Sequence, residues 1–223
     1  MNKLNHVAFI MDGNGRWGKK KSRGRNFGHY AGVKTVKKIV EASIKFKIPI
    51  VTFYVFSTEN WKRPKSEIKY LFNLISSYFK DELDEVVKNG IKINILGELK
   101  NLPKNLKKIL NTTIKSTINN KKIIVNLALN YGSKKEIISS IKKLKYSSIN
   151  EKKLSNNLYT GKLLDPDILI RTGGKKRLSN FMLWQLAYAE IFFLDKLWPD
   201  FMPRDLKKII NKFYKIKRNF GGI

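Results

Sequence analysis

The chain contains no cysteine. That excludes disulfides, thiolate metal sites and cysteine nucleophiles, and it agrees with a reducing compartment. Negative charge is scarce: 17 acidic residues stand against 46 basic ones, a formal net charge of +29. No uninterrupted apolar run approaches the roughly 20 residues of a membrane-spanning helix. No secretory leader is expected ahead of the first strand pattern. Internal repeats and Pro/Gly/Ser-rich linkers are lacking too. Residues 1–223 therefore read as a single domain, expected in the cytoplasm and at most peripheral at the inner face of an anionic membrane.

What is present suits a folded globule. Hydrophobic residues make up 42% and aromatics 12%, too much for a disordered chain. Basic residues are spread along the whole sequence, as in Lys19-Lys20-Lys21, Lys107-Lys108 and Lys142-Lys143. That spread reads as a compositional bias more than as a single binding patch. A field of this sign attracts nucleic acid, anionic lipid or phosphorylated substrates. No RNA-binding signature or zinc-finger spacing accompanies it, so no specific nucleic-acid partner is expected.

Short apolar runs alternate with helical patterns. The strand candidates are Val7–Met11, Ile50–Ser57, Ile91–Leu96, Ile123–Leu129, Ile168–Arg171 and Ile191–Leu194. The helix candidates are His29–Phe46, Ser66–Lys88, Pro103–Asn119, Lys134–Leu144, Glu151–Leu158 and Pro203–Asn219. Such alternation predicts an α/β fold with a mostly parallel sheet covered by helices. Ser66 is the expected N-cap of its helix, with Glu67 favourable in the first turn. The polar connection Tyr146–Leu158 reads as the most variable segment.

Three blocks carry candidate chemistry. In the first, the strand ending at Met11 delivers Asp12, and Gly13 and Gly15 then turn the chain into a basic stretch with Arg16, Arg23 and Arg25. Ligands of parallel α/β proteins sit at strand carboxyl ends. A carboxylate there can hold Mg²⁺, and glycines let backbone N–H groups approach an anion. His29 is expected at a helix start, where anions are favoured; a surface cap is the plainer reading. The second block is Phe53-Tyr54-Val55-Phe56-Ser57-Thr58-Glu59-Asn60-Trp61-Lys62-Arg63-Pro64. Ser57, Asn60 and Arg63 suit a phosphate, and the strand and its aromatics either line an apolar tunnel or belong to the core. The third block runs from Asp167 to Glu190. Arg171, Arg177 and Ser179 make a second diphosphate clamp, because guanidinium matches phosphate oxygens in paired hydrogen bonds. Glu190 reads as a second metal carboxylate or as an ion-pair partner. Two anion clamps with apolar walls suit two phosphorylated substrates with hydrocarbon tails.

These blocks, with Leu197-Trp198-Pro199-Asp200-Phe201 and the ending Arg218-Asn219-Phe220-Gly221-Gly222, resemble the cis-prenyltransferases, most closely the bacterial undecaprenyl diphosphate synthases. The resemblance covers nearly the whole chain. It implies a six-stranded parallel sheet with surrounding helices, a homodimer, and Mg²⁺ as cofactor. It implies a transferase that adds isopentenyl diphosphate repeatedly to farnesyl diphosphate and makes the C55 lipid carrier for cell-wall precursors. By motif position Asp12 resembles the metal-binding catalytic aspartate. Gly13, Asn14, Gly15, Arg16, Trp17, Arg25 and His29 match the allylic diphosphate pocket. Ser57, Thr58, Glu59, Asn60, Trp61 and Arg63 match the catalytic loop, with Asn60 also counted as catalytic. Arg171, Arg177 and Ser179 match the isopentenyl diphosphate clamp, and Glu190 a metal-site or dimer-contact glutamate. Other readings are a nucleic-acid-binding protein, a non-catalytic subunit of the same family, and a different Mg²⁺-dependent phosphoryl enzyme. The first does not explain the paired carboxylates and apolar strands at the clamps, the retained Asp12 argues against the second, and the third lacks a P-loop Lys-Ser/Thr pattern.

Three departures stand out. Lys175 occupies a position where the family usually carries Glu, and Lys176 one where some members carry His. The family's C-terminal Arg-x-Gly appears as Asn219-Phe220-Gly221, with Arg218 one position out of register. The size of Val55, on the apolar strand, is expected to influence product length. The expected outcome of the departures is intact catalysis with weakened isopentenyl diphosphate binding. A steady-state Michaelis constant for that substrate equal to that of a relative carrying the glutamate would contradict this.

Overall fold

The computed structural model describes residues 2–144, 149–219 and 222. Six strands form one sheet: β1 (His6–Ile10), β2 (Ile50–Ser57), β3 (Ile91–Leu96), β4 (Ile123–Tyr131), β5 (Ile168–Arg171) and β6 (Glu190–Phe193). Their order is β3-β4-β2-β1-β5-β6, and every neighbouring pair is parallel. The helices are α1 (Asn14–Lys20), α2 (Gly24–Lys45), α3 (Lys65–Lys88), α4 (Lys104–Thr117), α5 (Ser133–Lys143), α6 (Glu151–Asn157) and α7 (Pro203–Phe213). Parallel strands need crossovers, and the helices that supply them bury both faces of the sheet.

Strand β1 is the axis of the molecule. All five of its residues are buried. Val7 and Phe9 join one core with Phe53, Trp198 and Phe201, while Ala8 and Ile10 join another with Leu169, Phe181 and Leu186. This is the period-two alternation of a strand covered on both sides. The chain leaves β1 to build β2 on one flank and returns to build β5 on the other. The order of strands therefore reverses at β1. The crevice beyond its carboxyl end is the place where open α/β sheets bind ligands.

A line of polar side chains crosses the sheet inside the core. His6 Nε2 lies 2.7 Å from Thr52 Oγ1, Asn126 Nδ2 donates to the same hydroxyl at 2.9 Å, and Asn94 Nδ2 donates to Asn126 Oδ1 at 3.1 Å. His6 Nδ1 lies 2.7 Å from Leu164 O. Each group in this line thus has a partner, which offsets the cost of its desolvation.

Several strand and helix bounds, such as those of β1, β4, β6 and α4, differ from the sequence reading by one or two residues, and four differences matter more. The stretch read as a turn after Asp12 is helix α1, opened by Gly13 at φ 110°. Helix α2 starts at Gly24, so His29 sits inside the helix and not at its start. The two helices pack backbone to backbone: a Cβ on Gly28 would lie 1.8 Å from Asn14 O. Helix α3 begins at Lys65 with Pro64 as its cap, so Ser66 falls in the first turn. Helix α7 ends at Phe213 and not at Asn219, because Asn2 Nδ2 donates to Phe213 O and Ile216 O at 3.1 and 2.7 Å and closes its end. Residues 145–148 of the polar connection, and Phe220 and Gly221 of the C-terminal motif, lie outside the described residues.

Burial lowers the pKa of His6 to about 4. The unfolded chain then binds more protons between about pH 6.5 and 4. Stability is full above that window and is lost as pH falls through it, by about 3 kcal/mol for a shift of this size. Replacing the imidazole with His6→Gln should destabilise the protein at pH 7, and the gap to the parent should narrow as pH falls to 4.5. Urea midpoints of both proteins across that range check this. A constant gap would refute it.

Candidate active site

At the carboxyl ends of β1, β2 and β5 lies a polar cavity of about 270 Å³. Asp12 stands at its centre. The backbone there is fixed twice: Thr172 Oγ1 donates to Asp12 O at 2.8 Å, and Trp198 N donates to the same oxygen at 3.1 Å. The carboxylate is held between two guanidinium groups. Arg16 Nη2 donates to Oδ1 at 3.2 Å and to Gly173 O at 2.7 Å. Arg171 Nη2 donates to Oδ2 at 3.1 Å. Arg171, the last residue of β5, is only 4% exposed. Its Nη1 donates to Ser179 Oγ at 2.7 Å and to the Arg177 carbonyl. Its Nε has no partner among the described residues.

A second carboxylate organises the opposite wall. Glu67, in the first turn of α3, accepts Arg25 Nε and Nη2 at 3.0 Å each. Arg63 Nη1 donates to it at 3.3 Å, and His29 Nε2 lies 3.2 Å away. Hydrogen bonding from Arg25 holds the Glu67 carboxyl below the usual range. Burial pushes His29 down against the pull of Glu67, so the imidazole is neutral at pH 7 and its Nε2–H donates to the carboxylate. The sequence marks Glu67 only as a favourable first-turn acid. Its four-residue spacing from Arg63 is a usable signal; its link to Arg25 and His29 across separate helices leaves none.

Gly13, Asn14, Gly15, Ser57 and Asn60 also line this cavity with Asp12, Arg16, Arg25, His29, Arg63, Arg171 and Ser179. Ser57 closes β2, and its N–H donates to Asn60 Oδ1 at 3.2 Å across a 3₁₀ turn, Thr58–Lys62. Tyr54, which the sequence does not single out, joins the lining and donates its hydroxyl to Ser179 O at 3.2 Å.

Other expected site residues lie outside the cavity lining. Trp17 stacks on Phe27 and donates Nε1–H to Asp200 at 2.7 Å. Trp61 packs on Phe56 and Phe72 and donates to Asn130 Oδ1 at 2.8 Å. Thr58 Oγ1 donates to Glu59, which also accepts from Asn180 at 2.8 Å. Arg177 bonds through its carbonyl. Glu190 opens β6 opposite Ile168, the first residue of β5. It therefore sits at the amino ends of the strands, away from Asp12, and its nearest cation is Arg218 at 3.6 Å. One chain does not bring the two carboxylates together.

A second, apolar cavity of about 150 Å³ runs between α2, α3 and the sheet. Val55, Leu71, Leu74, Ile75 and Phe79 are among its walls. Phe53 and Phe56 are buried core instead. Met11, Asn14, His29, Val55 and Leu71 line both cavities, so the polar chamber and the apolar cavity lie side by side and share a wall.

The family model "Putative undecaprenyl diphosphate synthase" matches residues 10–221. The chain belongs to this prenyltransferase family. It is 46% identical to an isoprenyl transferase of Helicobacter pylori, over all of this chain and 98% of that one. It is 44% identical to a farnesyl-diphosphate-specific ditrans,polycis-undecaprenyl-diphosphate synthase of Buchnera aphidicola, over 99% of this chain and 92% of that one. Among solved structures it is similar to a "probable undecaprenyl diphosphate synthase" of Campylobacter jejuni, with TM-score 0.85 and 37% identity over 99% and 100% of the two chains. A lavandulyl diphosphate synthase of Lavandula x intermedia in complex with dimethylallyl diphosphate matches with TM-score 0.93 and 30% identity, over 97% and 98%.

Glu67→Gln removes the charge that Arg25, Arg63 and His29 share in this prenyltransferase. Arg25 is partly solvated, so the expected cost in stability is about 1 kcal/mol, or a fall of about 2–4 °C in melting temperature. Prenyl-transfer activity should fall about tenfold, because the guanidinium groups lose their fixed positions. Calorimetry and initial rates check the two effects separately.

Proposed function

We propose that this chain condenses isopentenyl diphosphate units onto farnesyl diphosphate with cis geometry, making a long polyprenyl diphosphate of about the undecaprenyl length. The observation that carries this reading is the adjacency of a cavity rich in guanidinium groups and an apolar cavity that shares its wall. A diphosphate and a growing hydrocarbon need those two environments side by side.

Breaking the allylic C–O bond moves negative charge onto the departing diphosphate. Arg16, Arg25 and Arg63 face that charge as it develops, which lowers the barrier most where donors are already in place. Arg171, oriented by Asp12 and Ser179, holds the second diphosphate, so that its double bond lies beside the allylic carbon. The proton lost as the new double bond forms passes to a diphosphate oxygen. Tunnel walls keep water from the allylic cation and receive the lengthening chain.

The donor set at Asp12 fits Mg²⁺. This ion is commonly held by one or two carboxylates with substrate phosphates and water completing its shell, and Asp12 presents a partly exposed carboxylate to the cavity. No group of three or more candidate ligands is found among the described residues; Asp12 would hold the ion, and substrate phosphates and water would supply the remaining oxygens. When bound, the ion would neutralise diphosphate charge.

The exposed edge at β6, where Ile191 and Tyr188 face solvent, supports a homodimer. No helix among the described residues is long and apolar enough to cross a membrane. The reading places the enzyme in the cytoplasm, in peripheral contact with anionic lipid through its basic surface.

Incubation with labelled isopentenyl diphosphate, farnesyl diphosphate and Mg²⁺ should give butanol-extractable label. Asp12→Ala should reduce it at least a thousandfold while leaving the melting temperature within a few degrees of the parent. Full activity in that variant would sink the mechanism.

A further inference from the structure

Ser179 meets Arg171 from a strained stretch of backbone. Ser179, Asn180 and Met182 have φ of 51°, 60° and 44°. They are three of the six non-glycine residues with left-handed φ among the described residues. Such a conformation is unfavourable for a residue with a side chain, and it persists only where surrounding contacts impose it. Asparagine tolerates it better than most, and Asn180 is where the contacts gather.

Two distant segments converge on this residue. From the turn between β4 and α5, Ser133 N donates to the Asn180 carbonyl at 2.8 Å and Lys134 N to its Oδ1 at 2.9 Å. From the 3₁₀ turn after β2, Glu59 Oε1 accepts its Nδ2–H at 2.8 Å. Both ends of the side-chain amide are therefore in use. The neighbours of Asn180 are held as well. Tyr54 donates its hydroxyl to Ser179 O at 3.2 Å, and Leu183 N donates to Ser133 Oγ at 2.9 Å. The convergence depends on Gly132. A Cβ there would lie 2.6 Å from Thr58 Oγ1 and 2.8 Å from Asn180 Nδ2, so a side chain would force the segments apart. Ser179 lines the polar cavity, whereas Asn180 and Glu59 stand behind it.

We propose that Asn180 is a positioning residue for the second diphosphate, aiming the Ser179 hydroxyl at Arg171 with Glu59 as its buttress. This rests on the elongation reading given above, in which Arg171 holds that diphosphate. Arg171 Nη1 donates to Ser179 Oγ at 2.7 Å. A hydroxyl that accepts from a guanidinium keeps its own proton to donate to a phosphate oxygen. Without the Asn180 amide the strained loop relaxes and Ser179 turns away. The clamp then loses one donor, and Arg171 loses one of the contacts that orient it. The first diphosphate, faced by Arg16, Arg25 and Arg63, is not touched by this change.

The test measures initial rates of the full chain with farnesyl diphosphate, labelled isopentenyl diphosphate and Mg²⁺, and melting temperatures beside them. Asn180→Gly keeps the left-handed backbone accessible and removes the amide. Its Michaelis constant for isopentenyl diphosphate should rise about tenfold, the worth of one hydrogen bond to a charged group. Its constant for farnesyl diphosphate should stay within about twofold of the parent. Glu59→Ala, at an exposed position that guards against a failure to fold, should raise the isopentenyl diphosphate constant about threefold. Glu59→Gln, which keeps an acceptor oxygen, should recover most of that loss. Asn180→Gly combined with Glu59→Ala should be no weaker than Asn180→Gly alone, because both remove the same bond. A merely structural role would lower the melting temperature and leave the two constants in the parent's ratio. That result would overturn the inference, as would Glu59→Gln behaving like Glu59→Ala, or the two changes multiplying. If the variants match a parent that incorporates label, this inference alone fails. If the parent incorporates none, the elongation reading falls, and this inference with it.

Discussion

Four guanidinium groups share one cavity in this protein, and their mutual repulsion is the constraint around which the site is built. Two unit charges 4 Å apart near a protein surface interact by about 4 kcal/mol. Left alone, such groups would swing into solvent. Two carboxylates prevent this. Asp12 takes Arg16 and Arg171, and Glu67 takes Arg25 and Arg63. Each also joins elements of the fold. Asp12 ties the end of β1 to the end of β5, and Glu67 ties α2 to α3. The same ion pairs that orient the anion-binding groups thus fix the mouth of the apolar tunnel. Net positive charge remains in the cavity, which suits an anion.

The sheet explains why the first of these contacts is possible. With β1 at the reversal of strand order, the loop after it is flanked by strand ends from both halves of the chain. Arg171 lies 159 positions from Asp12 in sequence, yet it ends the strand paired directly with β1. The anchoring continues at the opposite rim. Asp167 accepts the backbone N–H groups of Asn5 and His6 at 2.7 and 3.1 Å, so the amino end of β1 is held as firmly as the other.

How much of this is legible in the sequence depends on the range of the interaction. The strands Ile50–Ser57 and Ile168–Arg171 are found where their apolar runs place them, because burial on both faces leaves a nearly continuous hydrophobic signature; Ile91–Leu96, at the sheet edge, is found from the alternation of Ile91, Ile93 and Ile95 with Lys92 and Asn94. Helix α1 is hidden by its glycines. These look like a turn, but a Cβ on Gly18 of α1, or on Gly28 of α2, would run into the backbone of the other segment, so glycine is needed where the two helices cross. The early end of α7 depends on Asn2, more than 200 residues away, and no local pattern announces it. Asp12, Arg16, Arg171 and Ser179 are visible as strand-end chemistry, whereas the role of Glu67 requires knowing that α2 and α3 run side by side. Glu190 is misplaced for a simpler reason. A residue just before a parallel strand lies at the amino rim, and the reasoning that puts Asp12 and Arg171 on the carboxyl rim already excludes it from theirs.

In a chain this rich in lysine, the placement of negative charge carries more information than the placement of positive charge. Between Asp12 and Glu41 there is no acidic residue at all. The segment between them therefore carries positive charge with no acid of its own, a field that attracts anions and weakens with salt. Several of the carboxylates that do occur have specific partners. Asp12 and Glu67 hold the arginines, Asp167 holds the start of β1, and Glu82 with Glu85 holds Lys37 across the gap between α2 and α3. Glu136, 1% exposed, accepts from Tyr131, Tyr159 and Gln185 beneath the loop that carries Ser179. Most lysines can be exchanged for another solvated side chain without consequence for this network. These acids cannot, since each neutralises a specific cation or satisfies a specific set of donors. Where the site is buried, as at Glu136, losing the acid would leave those groups without a partner and with little access to water; at Glu67 the arginines would keep water but lose their fixed positions.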